Sequence, residues 1–320
     1  MNDIVQTIQH LTVTKDYSGQ RLDNFLMSRL KGLPKSRLYR IIRKGELRIN
    51  KKRVKPDYRL QEGDIIRIPP LRLALVATKK NSLNEKLAEL LEKAIIFEDK
   101  HFLVLNKPSG IAVHGGSGIH LGVIEALRLL RPQLKFLELV HRLDRDTSGC
   151  LLLAKKSSVL KELHELLRLG KIKKTYIALV AGHWPKSLLK VDVPLYKNQL
   201  LSGERIVRVQ PEGKSSLTEF SVQHYYAEST LVAVMPITGR THQIRVHAQF
   251  AKHPIIGDEK YGDKEINKKM RQLGCKRLFL HASQLEFTLP SIAKTITLNA
   301  ELPKDLNQLL KCLTPLSLIS

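Results

Sequence analysis

The sequence predicts an α+β protein in two domains: a small, basic domain of two helices and a hairpin, then a larger domain on a mixed, largely antiparallel sheet with flanking helices and loops. Three observations lead there. Apolar runs of strand length, such as Phe102-Leu103-Val104-Leu105 and Cys150-Leu151-Leu152-Leu153-Ala154, recur without the regular βαβ alternation of a doubly wound sheet. A chain of 320 residues is long for one compact domain and comfortable for two. Charge is also unevenly spread: the chain carries net +24, and the stretch Lys35 to Arg59 alone holds eleven basic and two acidic residues.

The totals exclude several classes. With 42% hydrophobic residues the chain can build real cores, so it is not a disordered polycation. The 54 Lys and Arg against 30 Asp and Glu point to a polyanionic partner. No stretch has the apolar length of a membrane span, and Met1 to Gln6 shows no basic-then-apolar leader pattern. Three distant cysteines, Cys150, Cys275 and Cys312, form neither a disulfide framework nor a metal knuckle. A cytoplasmic protein with no membrane partner is expected, and a monomer.

The elements follow in order. Residues 1–18 form a polar lead-in with one short strand, Leu11-Thr12-Val13. The basic domain spans 19–70. Leu22, Phe25, Leu26 and Leu30 repeat at helical spacing; Gly32 and Pro34 end that helix, and Ser36 caps a second with Leu38, Ile41 and Ile42 on its apolar face, closed by Gly45. Strands Leu47–Ile49 and Ile65–Ile68 flank a turn at Asn50-Lys51-Lys52. Residues 71–93 are a linker without strand signal, ending in a helix from Ser82 to Lys93. The larger domain covers 94–320. Its expected strands are Ala94–Phe97, Phe102–Asn106, Cys150–Ala154, Lys171–Val180, Ser216–Tyr226, Leu231–Met235, Leu278–Leu280, Leu285–Leu289 and Thr295–Leu298. Helices are expected at Leu121–Leu130, Leu160–Leu169, Thr241–His247 and Glu301–Cys312.

Most of the chemistry is concentrated in one loop, His141-Arg142-Leu143-Asp144-Arg145-Asp146-Thr147-Ser148-Gly149, which runs straight into an apolar strand. On the residues alone, Asp144 reads equally as a reactive carboxylate or as a turn acid with Thr147. Tyr176 alone reads as a core tyrosine. Arg240 and Arg245, like His242 and His247, are five apart, which is poor spacing for a shared helix face or a joint metal site. The loop His114-Gly115-Gly116-Ser117-Gly118 lacks the Gly-Lys-Ser/Thr ending of a nucleotide loop, so no nucleotide cofactor and no metal is expected.

The pattern Arg21-Leu22-Asp23, Ser36-Arg37, Ile42-Arg43-Lys44-Gly45, Val54-Lys55-Pro56 and Gly63-Asp64 resembles the S4 RNA-binding domain. That resemblance implies phosphate contacts from Arg37, Arg40, Arg43, Lys44, Lys51, Lys52 and Arg53. The segment His141-Arg142-Leu143-Asp144 with Thr147-Ser148-Gly149 resembles the signature of the RluA family of pseudouridine synthases. Lys174-Thr175-Tyr176, Gly239 to His247, Asn106 to Gly110, and His253 to Asp258 with Tyr261-Gly262 match its other motifs in order. The preceding S4-like domain makes the chain most similar to the family's large-subunit rRNA enzymes, and Gly203 to Val209 supports the same grouping.

The resemblance implies isomerisation of uridine in 23S ribosomal RNA, free or in a large-subunit assembly intermediate, with no cofactor. It implies Asp144 as the reactive carboxylate, acting either as nucleophile at C1′ or as base at C2′. It implies Arg245 as the guanidinium that orients that carboxylate and Tyr176 as the ring against the target base. Arg142 would fill the gap left by the flipped nucleotide, and Arg240 and His242 would touch RNA. Two other readings remain open on sequence: an S4-domain ribosome-assembly factor that clamps RNA without turnover, and a metal nuclease using Asp144 and Asp146.

Overall fold

The computed structural model describes residues 4–30, 32–73, 85–115, 121–199 and 205–316. The chain divides into two compact units, Met1–Ser82 and Leu83–Ser320.

The first unit packs helices Leu22–Arg29 and Lys35–Lys44 on a sheet ordered Gln9–Thr12, Ile65–Ile68, Arg48–Ile49. Leu22, Phe25, Leu26, Leu38, Ile41, Ile42, Leu60 and Ile66 are buried between them, which leaves the basic side chains of the second helix outside. That helix starts one residue before Ser36, after Pro34, so Ser36 lies within its first turn and does not cap it. Gly45 ends it in the left-handed region at φ 72°, its N–H reaching the carbonyls of Ile41 and Ile42. Asn50 and Lys51 both take positive φ, which closes a tight turn between Ile49 and Lys52. Asn50 tolerates this because its amide bridges Asp64 (2.8 Å) and the Ile65 N–H (2.9 Å).

Two expectations are corrected here. The short strand expected at Leu11-Thr12-Val13 is present as Gln9–Thr12, and it pairs into this unit's sheet instead of lying in a lead-in. Leu71–Leu73, expected to be linker, is also a strand, paired with Ile4–Gln6. Runs of three residues, such as Ile4–Gln6 and Leu71–Leu73, are too short for a period of two to register in sequence.

Among the described residues the second unit is built on a ten-stranded sheet. Its main path runs Lys190–Asp192, Leu217–Tyr226, Ser229–Pro236, Lys173–Ala181, Leu280–Leu289, Ser148–Ala154, Phe102–Lys107, Ile95–Glu98. Lys294–Asn299 pairs beside Leu280–Leu289, and Glu138–Leu139 beside Ser148–Ala154. Among the described residues one pair is parallel, Ser148–Ala154 with Leu280–Leu289, with His281 opposite Ser148 and Ala282 opposite Gly149. Gly149 sits at φ 111°, and a Cβ there would lie 2.2 Å from the Ala282 carbonyl oxygen. Only glycine allows the two strands to approach there.

Leu278–Leu280 and Leu285–Leu289, expected as two strands, belong to one continuous stretch in which Leu280–Leu289 is strand. The intervening His281 and Ser283 look like a polar break in sequence. They are accommodated because His281 bonds to Ser148 and the Ala300 carbonyl, and Ser283 to the Thr175 carbonyl. The expected linker helix is Glu85–Lys93, residues 82–84 lying outside the described residues, and its Leu91 is fully buried in the second unit's core. A hairpin, Leu195–Gln199 with Arg205–Val209, and a helix, Lys264–Gln272, N-capped by Asp263, were not anticipated as elements.

Candidate active site

The Asp144 loop is pinned from below. The Thr147 N–H donates to the Asp144 carbonyl (3.2 Å) and the Gly110 N–H to the Arg145 carbonyl (2.9 Å), while Ser109 Oγ donates to the Asp146 carbonyl (2.7 Å). Lys107, with no exposed surface, donates from Nζ to the carbonyls of Pro108 (2.7 Å), Ile111 (2.9 Å) and Arg145 (3.0 Å). Burial pulls this ammonium down to about 7, opposed by the charges of Asp146 and Asp144. Three carbonyl acceptors call for three N–H donors, which only the protonated amine has. Asp146 turns toward Arg145 (3.1 Å) in a surface ion pair.

Arg245 stands on the helix Gln243–Phe250, which begins later than the expected Thr241 start. Its guanidinium does not fork onto Asp144. Nε and Nη2 each donate to the Asp258 carboxylate at 2.7 Å, and the third nitrogen, Nη1, faces Asp144 Oδ2 at 3.7 Å. Asp258 has a fully buried side chain that also accepts the N–H groups of Lys260 and Tyr261, both at 2.9 Å. Burial pushes the Asp258 carboxyl up, but Arg245 and these N–H donors hold it below the ordinary range. Arg245 also lies over the Tyr261 ring, 4.9 Å from its centroid.

His242, just ahead of that helix, takes the left-handed conformation at φ 55°, which is uncommon for a residue with a Cβ. Its Nε2 is 3.9 Å from Asp144 Oδ2, and its Nδ1 is 2.8 Å from the Tyr261 hydroxyl. The same hydroxyl accepts the Val207 N–H (3.1 Å), which leaves its own proton for Nδ1 and assigns the imidazole proton to Nε2, facing Asp144. Burial lowers the pKa of His242, which keeps the ring neutral near pH 7.

Tyr176 is 9% exposed on the strand Lys173–Ala181. Burial, and secondarily the Asp144 charge, push its phenol above the ordinary value, so it stays protonated at neutral pH. Arg142, Asp144, Tyr176, Arg240, His242 and Arg245 all line one cavity of about 630 Å³. Arg142 is exposed at its edge; Arg240 is held by the Ser215 carbonyl (3.1 Å). The structure therefore brings together six residues chosen from widely separated sequence positions. Arg37, Arg40, Arg43, Lys44, Lys51, Lys52 and Arg53 belong to the first unit, where all but the half-buried Arg37 are exposed.

Sequence reasoning did not single out Asp258, Tyr261, Lys107 or Lys174. Each stands inside a quoted motif, but the partner that gives it a role is distant in sequence or visible only in three dimensions. Of the glycine-rich loop, His114 and Gly115 are described; residues 116–118 lie outside the described residues, as do Gly203 and Glu204. Among the described residues no group of three or more His, Cys, Asp or Glu is placed to hold a metal ion, and no helix is long and apolar enough to cross a membrane.

Residues 101–250 match the RNA pseudouridylate synthase family, and residues 20–66 match the S4 domain. The chain is 54% identical over 308 residues to the ribosomal large subunit pseudouridine synthase C of Haemophilus influenzae, covering 96% of each chain. It is 53% identical over 307 residues to the protein of that name from Escherichia coli K12, covering 95% of this chain and 96% of that one. Among solved structures it is similar to human RNA pseudouridylate synthase domain containing 4, at 30% identity and a TM-score of 0.59, over 71% of this chain and 95% of that chain.

Proposed function

The chain belongs to the RNA pseudouridylate synthase family, and we propose that its substrate is uridine in large-subunit ribosomal RNA, bound by the S4 unit and isomerised in the cavity around Asp144. The observation that carries the assignment is the convergence of Asp144, Arg245, His242 and Tyr176 on one cavity, with Asp144 bordered by one fixed guanidinium and one neutral imidazole.

The reaction conserves atoms. The N1–C1′ bond breaks, the base turns, C5 bonds to C1′, C5 loses its proton and N1 gains one. Asp144 must be ionised to begin it. As a nucleophile it attacks C1′, forming an ester that C5 later displaces; as a base it takes the C2′ proton and returns it after the new bond forms. Arg245 presents a fixed positive charge to that carboxylate in either route. It does so without hydrogen-bonding tightly to the carboxylate in the resting site, so the oxygens stay free to react. His242, neutral with its proton on Nε2, is a second dipole facing the same oxygen from 3.9 Å.

The target uridine must leave its stack, at a cost of about a few kcal/mol. The Tyr176 ring offers replacement stacking, and its protonated hydroxyl can pass on the C5 proton only by releasing its own. Arg142, exposed at the cavity edge, occupies the vacated position in the RNA. The family's activity and the S4 match favour turnover over a non-catalytic assembly factor. Site of action is the cytoplasm, as a monomer, on free rRNA or an assembling subunit.

The test is direct. Purified protein, incubated with large-subunit rRNA and no added nucleotide or divalent metal, forms pseudouridine at discrete positions. Absence of any new pseudouridine on both naked rRNA and assembly intermediates contradicts the proposal.

A further inference from the structure

We propose that Lys174 is a phosphate-binding residue of the cavity, its ammonium taking a phosphodiester that flanks the target uridine. This rests on the functional reading above and extends it to the substrate's backbone.

Lys174 lines the same cavity as Asp144 and stands two residues before Tyr176 on one strand. Two strand residues span roughly 7 Å, which is within the reach of a single nucleotide. Its Nζ extends to the turn before Arg240: a Cβ added at Gly239 would meet that nitrogen at 4.0 Å. The position therefore lies between the Tyr176 ring and the basic Gly239–Arg240 turn.

The other cations of this region are already engaged or in open water. Arg245 is forked by Asp258 and Arg168 by Glu165, and Arg240 Nε donates to the Ser215 carbonyl. Lys173, next in the chain, pairs with Glu286 at 2.7 Å. Arg142 is exposed, so water solvates it. Lys174 is half-buried, and its ammonium has no hydrogen-bond or ion-pair partner among the described residues. Its titratable neighbour supplies no counter-charge: His141 beside it is held neutral, its pKa lowered to about 4 by burial first and by the Lys174 charge second. The Leu152 N–H donates to His141 Nε2 (3.1 Å), which needs that neutral ring.

An ammonium withdrawn from water without a counter-charge is unfavourable, and burial lowers its pKa accordingly. An anion in the cavity removes that penalty. Asp144 does not serve, because Arg245 and His242 are the groups that border it. In a cavity that admits a nucleotide, the anion that arrives with the substrate is the phosphodiester. A uracil carbonyl would accept a hydrogen bond but leave the charge uncompensated, so the charge favours the backbone over the base.

The experiment compares wild type with Lys174→Met and Lys174→Arg in the full chain. RNA affinity is measured at several salt concentrations, with steady-state pseudouridine formation on the same RNA. Lys174→Met is expected to lower the slope of log K against log salt by about 0.7–0.9, the share of one phosphate contact. KM should rise about tenfold, as for the loss of one charge-assisted hydrogen bond, with kcat within about twofold of wild type. Lys174→Arg should keep the wild-type slope. Bound RNA should also shield Lys174 from an amine-acylating reagent, read by mass spectrometry. Unchanged slope and KM in Lys174→Met overturn the proposal, as does a loss confined to kcat. A wild-type protein that forms no pseudouridine on that RNA overturns the functional reading itself, whatever the slopes.

Discussion

A carboxylate that must stay ionised in a cavity needs a cation held still beside it, and here the holding is done by a second carboxylate. Asp258 takes both forked hydrogen bonds of Arg245, so the guanidinium is set before substrate arrives and presents its remaining nitrogen to Asp144. Replacing Asp258 with Asn keeps the shape but removes the charge and one acceptor. Turnover should fall by about 100-fold, the scale of a misplaced catalytic partner, with a stability loss of roughly 3–5 kcal/mol from the broken buried pair. Single-turnover kinetics and urea unfolding check both; an undiminished kcat contradicts the positioning role. This residue shows where sequence reading stops. Asp144, Tyr176 and Arg245 were legible because motifs carry them. The fork on Asp258 was not, because it depends on the way the segment after the helix folds back thirteen residues later.

At the scale of elements, the Asp144 loop is an extension of the sheet beneath it. Gly149 lets Ser148–Ala154 lie against Leu280–Leu289, and Lys107, at the end of Phe102–Lys107, ties the loop to the neighbouring segment through three carbonyls. Lys107→Met fills similar space but leaves those carbonyls unpaired. It should cost roughly 2–4 kcal/mol in urea unfolding and lower kcat more than it raises KM, since the loop rather than the RNA surface is loosened. Wild-type stability would contradict the clamp. Long apolar strands such as Ser148–Ala154 were plain in sequence because every residue is buried. Leu280–Leu289 appeared broken because its interior carries His281, Ser283 and Gln284, whose partners come from other strands. The three-residue strands Ile4–Gln6 and Leu71–Leu73 have too few positions to show a period.

For the molecule as a whole, charge and acid sensitivity are the readable properties. The helix Lys35–Lys44 buries Leu38, Ile41 and Ile42 and turns Arg40 and Arg43 outward, as the apolar spacing predicted. Arg40→Glu with Arg43→Glu should weaken RNA binding at every sequence and flatten its salt slope by about two, leaving kcat at saturating RNA unchanged. Equal slopes would remove this face from the RNA footprint. Burial lowers both His141 and His247 to about 4, below the ordinary 6.5. Between those values the unfolded chain binds more protons than the folded one. Stability should therefore be complete above pH 6.5 and decline as pH falls toward 4. Thermal unfolding across that window checks it, and His247→Gln should flatten the decline; a melting temperature constant from pH 6.5 to 4 contradicts it. The two-unit organisation and the α+β class were legible from composition and strand spacing. The boundary details were not, because short pairing strands and the helix Glu85–Lys93 are claimed by their units through tertiary contacts.

The central claim is that Asp144 is the reactive group of a uridine isomerase, and one substitution tests it most directly. Asp144→Asn preserves size and leaves the Arg245–Asp258 fork intact. Pseudouridines are mapped across large-subunit rRNA from cells lacking the protein and complemented with wild type or with this variant at equal abundance. The account predicts that wild type restores a discrete set of pseudouridines and Asp144→Asn restores none, while still binding the same rRNA in vitro. Restoration of those pseudouridines by Asp144→Asn would contradict it.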